Sequence, residues 1–294
     1  MEFSLLGIPW DFTTLRGMPG SRYAPAAVRQ AFAKISARLE SGAVFWLDRQ
    51  LVVDLPARTF FRDEGDVELA AHDVARSFRE ISRRIGALWR SQRVPIALGG
   101  DDAVTFPVVR GLHDATEGSW GMIHLDAHLD LLDDSPFSGR LSHSSGVRRV
   151  TELQRFRPDQ LIQVGVRNVN LPSSAAFIQQ RGSHLLPASE FARVGVRAAA
   201  ERALAAVAQA DFVHLAVDID VLDPGFAPGT DSFEAGGLSP RELFDFVCAV
   251  APRTAALSLV EVNPLTDHRN QTAALAANLI AQFVLAKVGA QPAG

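Results

Sequence analysis

Along the chain, short apolar runs alternate with longer stretches in which apolar residues recur at a helical period. "FSLLGI" (3–8), "VPIALGG", "WGMIHLDAH", "LIQVGVR", "FVHLAVDID" and "ALSLVEVN" are each apolar and bounded by turn-forming or polar residues. Strands buried on both faces have this pattern, and such strands belong to mainly parallel sheets. "APAAVRQAFAKIS" (24–36) reads as a helix. A long amphipathic helix is expected over 66–93, where Val67, Leu69, Ala70, Val74, Phe78, Ile81, Ile85 and Leu88 follow the helical repeat. Further helices are expected at about 189–209, 239–251 and 271–289. The alternation predicts an α/β fold, a three-layer α/β/α sandwich around a mainly parallel sheet. No composition shift, linker or internal repeat divides the chain, so residues 1–294 are read as a single domain. The Gly/Pro-rich segments 17–25 and 223–240 are expected to be functional loops.

In open parallel sheets, ligands bind beyond the carboxyl ends of the strands, so polar residues at those ends point to a site. "VPIALGG" ends in Asp101-Asp102, "MIHL" in Asp126-Ala-His128-Leu-Asp130, and "FVHLAV" in Asp218-Ile-Asp220. Alternation is expected to place Asp126 and His128 on one side, and likewise Asp218 and Asp220. Taken singly these pieces are ordinary. A lone D-x-D is most often a turn or cap, and "GGDD" could cap a helix that begins near Ala103. Together they bring six carboxylates and one imidazole into a small volume. Like charge at that density requires a cation. Oxygen ligands with one imidazole suit a hard divalent ion, Mn²⁺ before Zn²⁺. Carboxylates able to bridge suggest two ions that activate a hydroxide between them.

Charge and composition narrow the function by exclusion. The net charge of −4 offers no basic face for nucleic acid. No uninterrupted apolar stretch approaches a membrane span. The N-terminus has an acid at Glu2 and no basic region, against a secretory signal. Cys248 is the sole cysteine, which rules out an internal disulfide and suits a reducing, cytoplasmic setting. No Gly-rich phosphate loop of recognised spacing is present.

The motifs resemble the arginase/agmatinase/formiminoglutamase (ureohydrolase) family over nearly the whole chain. The resemblance rests on "GIPWDFTTLRGMPGSRYAPAAVR", "DEGDV" (63–67), "LGGDD", "DAHLD", "LSHSSGVRR" (141–149), "LIQVGVR", "VDIDVLDPGFAPGT" (217–230), "GGLSPREL" and "LVEVNP" (259–264). It is closest in style to agmatinase-like members and implies an arginase-like fold. It also implies a hydrolase of linear amidine C–N bonds with two Mn²⁺ per chain and a trimeric or hexameric assembly.

Carried over by motif position, the first ion would take Asp102, Asp126, Asp130 and Asp218. The second would take Asp126, His128, Asp218 and Asp220, so that Asp126 and Asp218 bridge. Glu261 matches the guanidinium-binding glutamate and His143 the proton shuttle. The implied reaction is hydroxide attack on the amidine carbon of a guanidino compound. The tetrahedral intermediate then expels an amine, protonated through Asp220 or His143, and leaves urea. A formimino substrate within the same family is the alternative, and a non-catalytic homologue that serves binding or assembly is the rival class.

Two departures from the family pattern stand out. Asp102 replaces a histidine, with Ala103 after it where serine is usual, and Ser144-Ser145-Gly146 replaces the Gly-Thr-Pro of agmatinase-like members. Asp102 is expected to act as a metal ligand, and the neighbouring Asp101 as a structural hydrogen-bonding group. An all-carboxylate first site favours Mn²⁺ and alkaline pH. Asp133 and Asp134 are candidates to attract an amine tail.

Overall fold

The computed structural model describes residues 1–14, 18–55, 60–134 and 139–289. Part of the Gly/Pro-rich N-terminal loop, residues 15–17, lies outside this set. Eight parallel strands form one sheet: β1 (Glu2–Gly7), β4 (Phe61–Asp66), β5 (Arg93–Leu98), β6 (Trp120–Leu125), β7 (Phe156–Val164), β8 (His184–Leu186), β9 (Phe212–Asp218) and β10 (Ala256–Val260). Their order across the sheet is β4-β1-β5-β10-β9-β6-β7-β8. A separate antiparallel hairpin joins β2 (Ala43–Trp46) to β3 (Leu51–Asp54).

Helices cover both faces, as the alternating pattern predicts. One face carries α1 (Ala24–Leu39), α6 (Ala188–Ala206), α7 (Pro240–Val250) and α8 (Gln271–Gly289). They enclose Phe3, Leu5, Leu98, Leu125, Val217 and Leu259 from the strands. The other face carries α2 (Val74–Arg90), α3 (Thr105–Asp114), α4 (Gly146–Val150) and α5 (Pro172–Arg181). These enclose Leu6, Ala97, Met122, Leu161, Ala216 and Val260. Successive strand residues point to opposite faces, so neighbours in sequence enter different cores. Each fully buried Leu, Ile or Phe contributes about 1.5–3 kcal/mol. Helix α8 is apolar and long enough by composition to cross a membrane, yet 67% of its most apolar window is buried, and it packs on α1 and α7 with Gln271 and Asn278 on its exposed side.

Two expectations need correction. The helix expected over 66–93 runs only from Val74 to Arg90. Asp73 stops it from starting earlier, because its carboxylate accepts from Arg76 N at 2.8 Å as an N-cap. Residues 61–66 instead pair with β1 as an edge strand, polar because it is solvated. Helix α6 is broken at Gly195, whose φ of 78° no ordinary helical residue adopts.

The strand order decides where a site can form. β5, β10, β9 and β6 are consecutive neighbours at the sheet centre, although far apart in sequence. In register, Leu98 lies beside Leu259, Val260 beside Asp218, and Val217 beside Leu125. Four strand ends therefore open onto one spot. Gly100, just past β5, passes so close to the N-terminal segment that an added β-carbon would lie 1.6 Å from Trp10 O. Asp101 N donates to the same carbonyl at 2.7 Å. We expect Gly100→Ala to destabilise the fold by about 2 kcal/mol or more through overpacking. Denaturant melts check this, and an unchanged midpoint would contradict the close approach.

Candidate metal centre

The acids expected from sequence meet above these four strand ends, with one exception. Asp101 turns away and serves as an N-cap. Its carboxylate accepts from Ala103 N at 3.1 Å, Thr13 Oγ1 at 2.7 Å, Thr13 N at 3.3 Å and Thr14 Oγ1 at 3.3 Å. Asp102 opens the short 3-10 turn Asp102–Val104 and faces the centre. Its Oδ1 accepts from Thr105 Oγ1 at 2.6 Å, whereas its buried Oδ2 has no partner. Asp101 is thus the structural hydrogen-bonding group that was expected, while Asp102 leaves one buried oxygen unpartnered.

Asp126, His128 and Asp220 converge. His128 Nδ1 stands 2.9 Å from Asp220 Oδ2 and 3.4 Å from Asp126 Oδ1. Strand alternation does not produce this meeting, because His128 lies past β6 and Asp220 sits in the 3-10 turn Ile219–Val221. Turn hydrogen bonds bring them together: Asp126 Oδ1 accepts from His128 N at 2.5 Å, Asp218 Oδ1 from Asp220 N at 2.8 Å, and Asp220 Oδ1 from Ala127 N at 3.0 Å. A second group, Asp102, Asp130 and His124, also offers ligand atoms within 4.8 Å of one another. Asp218 belongs to neither trio among the described residues, but lines the same cavity as His128, Asp130 and Asp220.

Burial sets the electrostatics. It pushes the Asp102 carboxyl up to about 6, and Asp130 and Asp218 well above the carboxylate range, with neighbouring acids adding to both shifts. Asp220 is raised for the same reason. For Asp126, burial acts upward, but bonding to His124 and His128 outweighs it and holds the carboxyl below its usual range. Burial would lower His128, yet Asp126 and Asp220 push it up to about 12. The apoprotein thus holds protons where a cation would neutralise the cluster. Asp102 Oδ2, Asp126 Oδ2, His124 Nε2 and Glu261 Oε2 are buried without a hydrogen-bond partner. Such orphans among mostly oxygen donors fit hard divalent ions.

Around the acids lies a cavity of about 400 Å³, lined also by His143, Asp231 and Glu261 and by the apolar Leu131, Leu132, Val169 and Leu171. Glu261 follows β10 with a positive φ of 63°. Its Oε1 accepts from Asp102 N at 2.8 Å. Burial raises it well above its usual value, as it does Asp231, to about 6. His143 opens a 3-10 turn, with Nδ1 3.0 Å from Thr13 O and its backbone N donating to Thr13 Oγ1 at 3.2 Å. Desolvation lowers its pKa. Asp133 does not face the cavity as a free acid, since it pairs with Arg140 at 2.8 Å and Arg149 at 2.6 Å. His124 and Asp231 were not singled out from the sequence. His124 could have been, since it stands on β6 two residues before Asp126, which follows the strand's end.

The description "Arginase family" matches residues 1–286 of this chain. An agmatinase of Bacillus subtilis is 32% identical over 96% of the chain and 90% of that protein. A guanidinopropionase of Pseudomonas aeruginosa is 30% identical over 97% of the chain and 86% of that protein. The crystal structure of formimidoylglutamase from Bacillus subtilis superposes with a TM-score of 0.86 and 25% identity, covering 100% of this chain and 89% of that one. The fold and these matches together define a hydrolase of amidine C–N bonds. The chain belongs to the arginase family.

The division between Asp101 and Asp102 is open to a direct test. Asp101→Ala should lower apoprotein stability by about 1–3 kcal/mol, because Thr13 and Ala103 lose a buried acceptor, and should leave Mn²⁺ stoichiometry unchanged. Asp102→Ala should leave stability little altered and lose one ion. Melting curves and metal analysis of the two variants check both halves, and an Asp102→Ala protein that binds two ions with unchanged affinity would contradict the assignment.

Proposed function

We propose that the chain hydrolyses a guanidino compound to urea and an amine, with two Mn²⁺ per chain. The observation that carries this reading is Glu261 Oε2, buried, without a partner, in the wall of the cavity that the acids share. A carboxylate so placed can accept N–H bonds from a planar cation. Asp231 in the same wall adds negative charge.

In this reading Asp102, Asp126, Asp130, His128, Asp218 and Asp220 would hold the two ions. The chemistry that such a pair supplies when bound is activation of water near neutral pH and stabilisation of developing negative charge. Glu261 orients the guanidinium, so that its central carbon faces the cluster. His143 carries the proton to the departing amine. Its Nδ1 is engaged by Thr13 O, which fixes the ring and leaves Nε2 for the cavity. Its lowered pKa keeps it neutral near pH 7, able to take up a proton and pass it on.

A second reading, hydrolysis of a formimino compound, is favoured by the structural likeness to formimidoylglutamase. The cavity wall weighs against it. Among the described residues that line it there is no Lys or Arg to pair with an acidic tail, whereas Asp231 and Glu261 could face an amine tail. The exposed apolar side chains Phe45, Leu47 and Val52 on the β2–β3 hairpin support the further reading that copies of the chain associate.

A panel of guanidino and formimino substrates, with urea and ammonia measured separately, tests the reaction. Urea from a guanidino compound is expected, and turnover of formimino compounds alone would reverse the choice. Asp126→Ala and Asp218→Ala should each abolish turnover and reduce bound Mn²⁺, and near-normal activity with two ions would remove the two-ion reading. His143→Ala should lower kcat by about 10²–10⁴-fold with metal content intact. Parallel loss of metal and activity would instead make His143 a ligand.

A further inference from the structure

His124 admits two roles, and its neighbour Gln163 decides between them. With Asp102 standing where the family has histidine, the first ion has lost an imidazole. His124 could restore one, since its ligand atom lies within 4.8 Å of those of Asp102 and Asp130. Alternatively it could hold Asp126, because its Nε2 is 3.2 Å from Asp126 Oδ2. One nitrogen cannot do both. A metal ligand needs a lone pair on Nε2, and a donor to a carboxylate needs a proton there.

The tautomer follows from the sheet. His124 on β6 is the register partner of Gln163 on β7, and both side chains are fully buried. Gln163 Nε2 lies 2.8 Å from Leu129 O, which identifies that end of the amide as nitrogen, since an oxygen there would face another oxygen. The same nitrogen lies 3.2 Å from His124 Nδ1. An NH₂ group offers only donors, so Nδ1 must present its lone pair. A proton on Nε2 then stands beside Asp126 Oδ2. The two atoms, Nε2 and Oδ2, are only in proximity, 3.2 Å apart and without hydrogen-bond alignment, but neither has any other partner and His124 is fully buried.

We propose that Gln163 and His124 form a buried relay that positions the Asp126 carboxylate, with His124 outside the metal's own ligands. The proposal rests on reading these acids as a metal centre. Gln163 sets the tautomer, His124 brings its N–H beside Oδ2, and the carboxylate is kept from turning away from the ions it would serve. Partners of this kind behind a ligand typically govern metal affinity or activity by about 10–100-fold.

The test compares His124→Gln, which keeps an N–H near the Nε2 position, with His124→Leu and Gln163→Leu, each read by Mn²⁺ calorimetry, metal analysis and kcat against KM. His124→Gln should retain two ions and turnover within about threefold of wild type, whereas His124→Leu should weaken Mn²⁺ binding and lower kcat by about 10–100-fold with KM little changed. Gln163→Leu, which leaves the imidazole in place, should shift the same quantities in the same direction, and it reads the relay even if His124→Leu does not fold. Loss of one ion in His124→Gln as complete as in His124→Leu would make His124 a ligand and overturn the proposal. Wild-type affinity in His124→Leu or in Gln163→Leu would overturn it too, leaving a merely structural pair. Mn²⁺ binding needs no substrate, so a wild-type protein that binds two ions but hydrolyses no amidine would sink the proposed reaction and leave this inference standing.

Discussion

The constraint on which the rest of the structure depends is the crowding of five carboxylates, Asp102, Asp126, Asp130, Asp218 and Asp220, four of them buried, in one small volume. Asp102, Asp126, Asp218 and Asp220 are at most 3% exposed. Unit charges about 4 Å apart repel by about 4 kcal/mol even at the effective dielectric of a protein surface. The apoprotein can relieve this only by holding protons, which is the physical content of the raised Asp102, Asp130 and Asp218 carboxyls. A divalent pair relieves it without protons. On this view the fold does not tolerate the acids despite their charge. On the proposed reading it keeps them available for a cation.

Maintaining that arrangement falls to the backbone. Asp130 and Glu261 both adopt positive φ, at 49° and 63°, conformations that ordinarily favour glycine. Such strain persists only where surrounding contacts over-determine it. Glu261 N donates to Gly100 O and Arg148 N to Asp130 O, which locks both turns. The topology does the remainder. Because β10 and β9 insert between β5 and β6, two strands adjacent in sequence are held apart, and the gap between their ends becomes the centre. The N-terminal segment closes one side, where Thr13 serves Asp101 and His143 at once.

Most of this architecture was legible in the sequence because strands buried on both faces need near-continuous apolar runs. β5, β6, β9 and β10 could be read, and their polar ends marked the site. The edge strand β4 could not, since "FRDEGD" is polar for the same reason that β6 is apolar: its exposure. Spacing alone also misassigned the onset of α2, because Val67 and Leu69 continue the helical period past the Asp73 cap. Within the site, the residues that sequence reasoning missed act across strands. His124 gains meaning only when register sets it against Gln163, 39 positions away. Asp231 lies in a loop whose return to the cavity no local pattern specifies.

The two departures from the family pattern, at Asp102 and in the loop after His143, look independent in sequence but are in contact in the fold. A β-carbon built on Gly146 would lie 2.7 Å from Asp102 Oδ2 and 2.6 Å from Asp102 O. Any residue larger than glycine at 146, including the proline of agmatinase-like relatives, would press on the carboxylate and its backbone. The missing side chain leaves room for Asp102 to sit where it does, with Oδ1 fixed by Thr105 and Oδ2 open. The carboxylate adds a negative charge where the family carries a neutral ring. If His124 holds its proton on Nε2, no second imidazole offsets that change. The first ion is then left with oxygen ligands alone, a donor set that selects for hard cations and lowers the electrophilicity of whatever ion is bound. On the proposed reading the substitution and the loop glycine would act as one adjustment of the metal centre, made at two points of the sequence 44 positions apart, from Asp102 to Gly146.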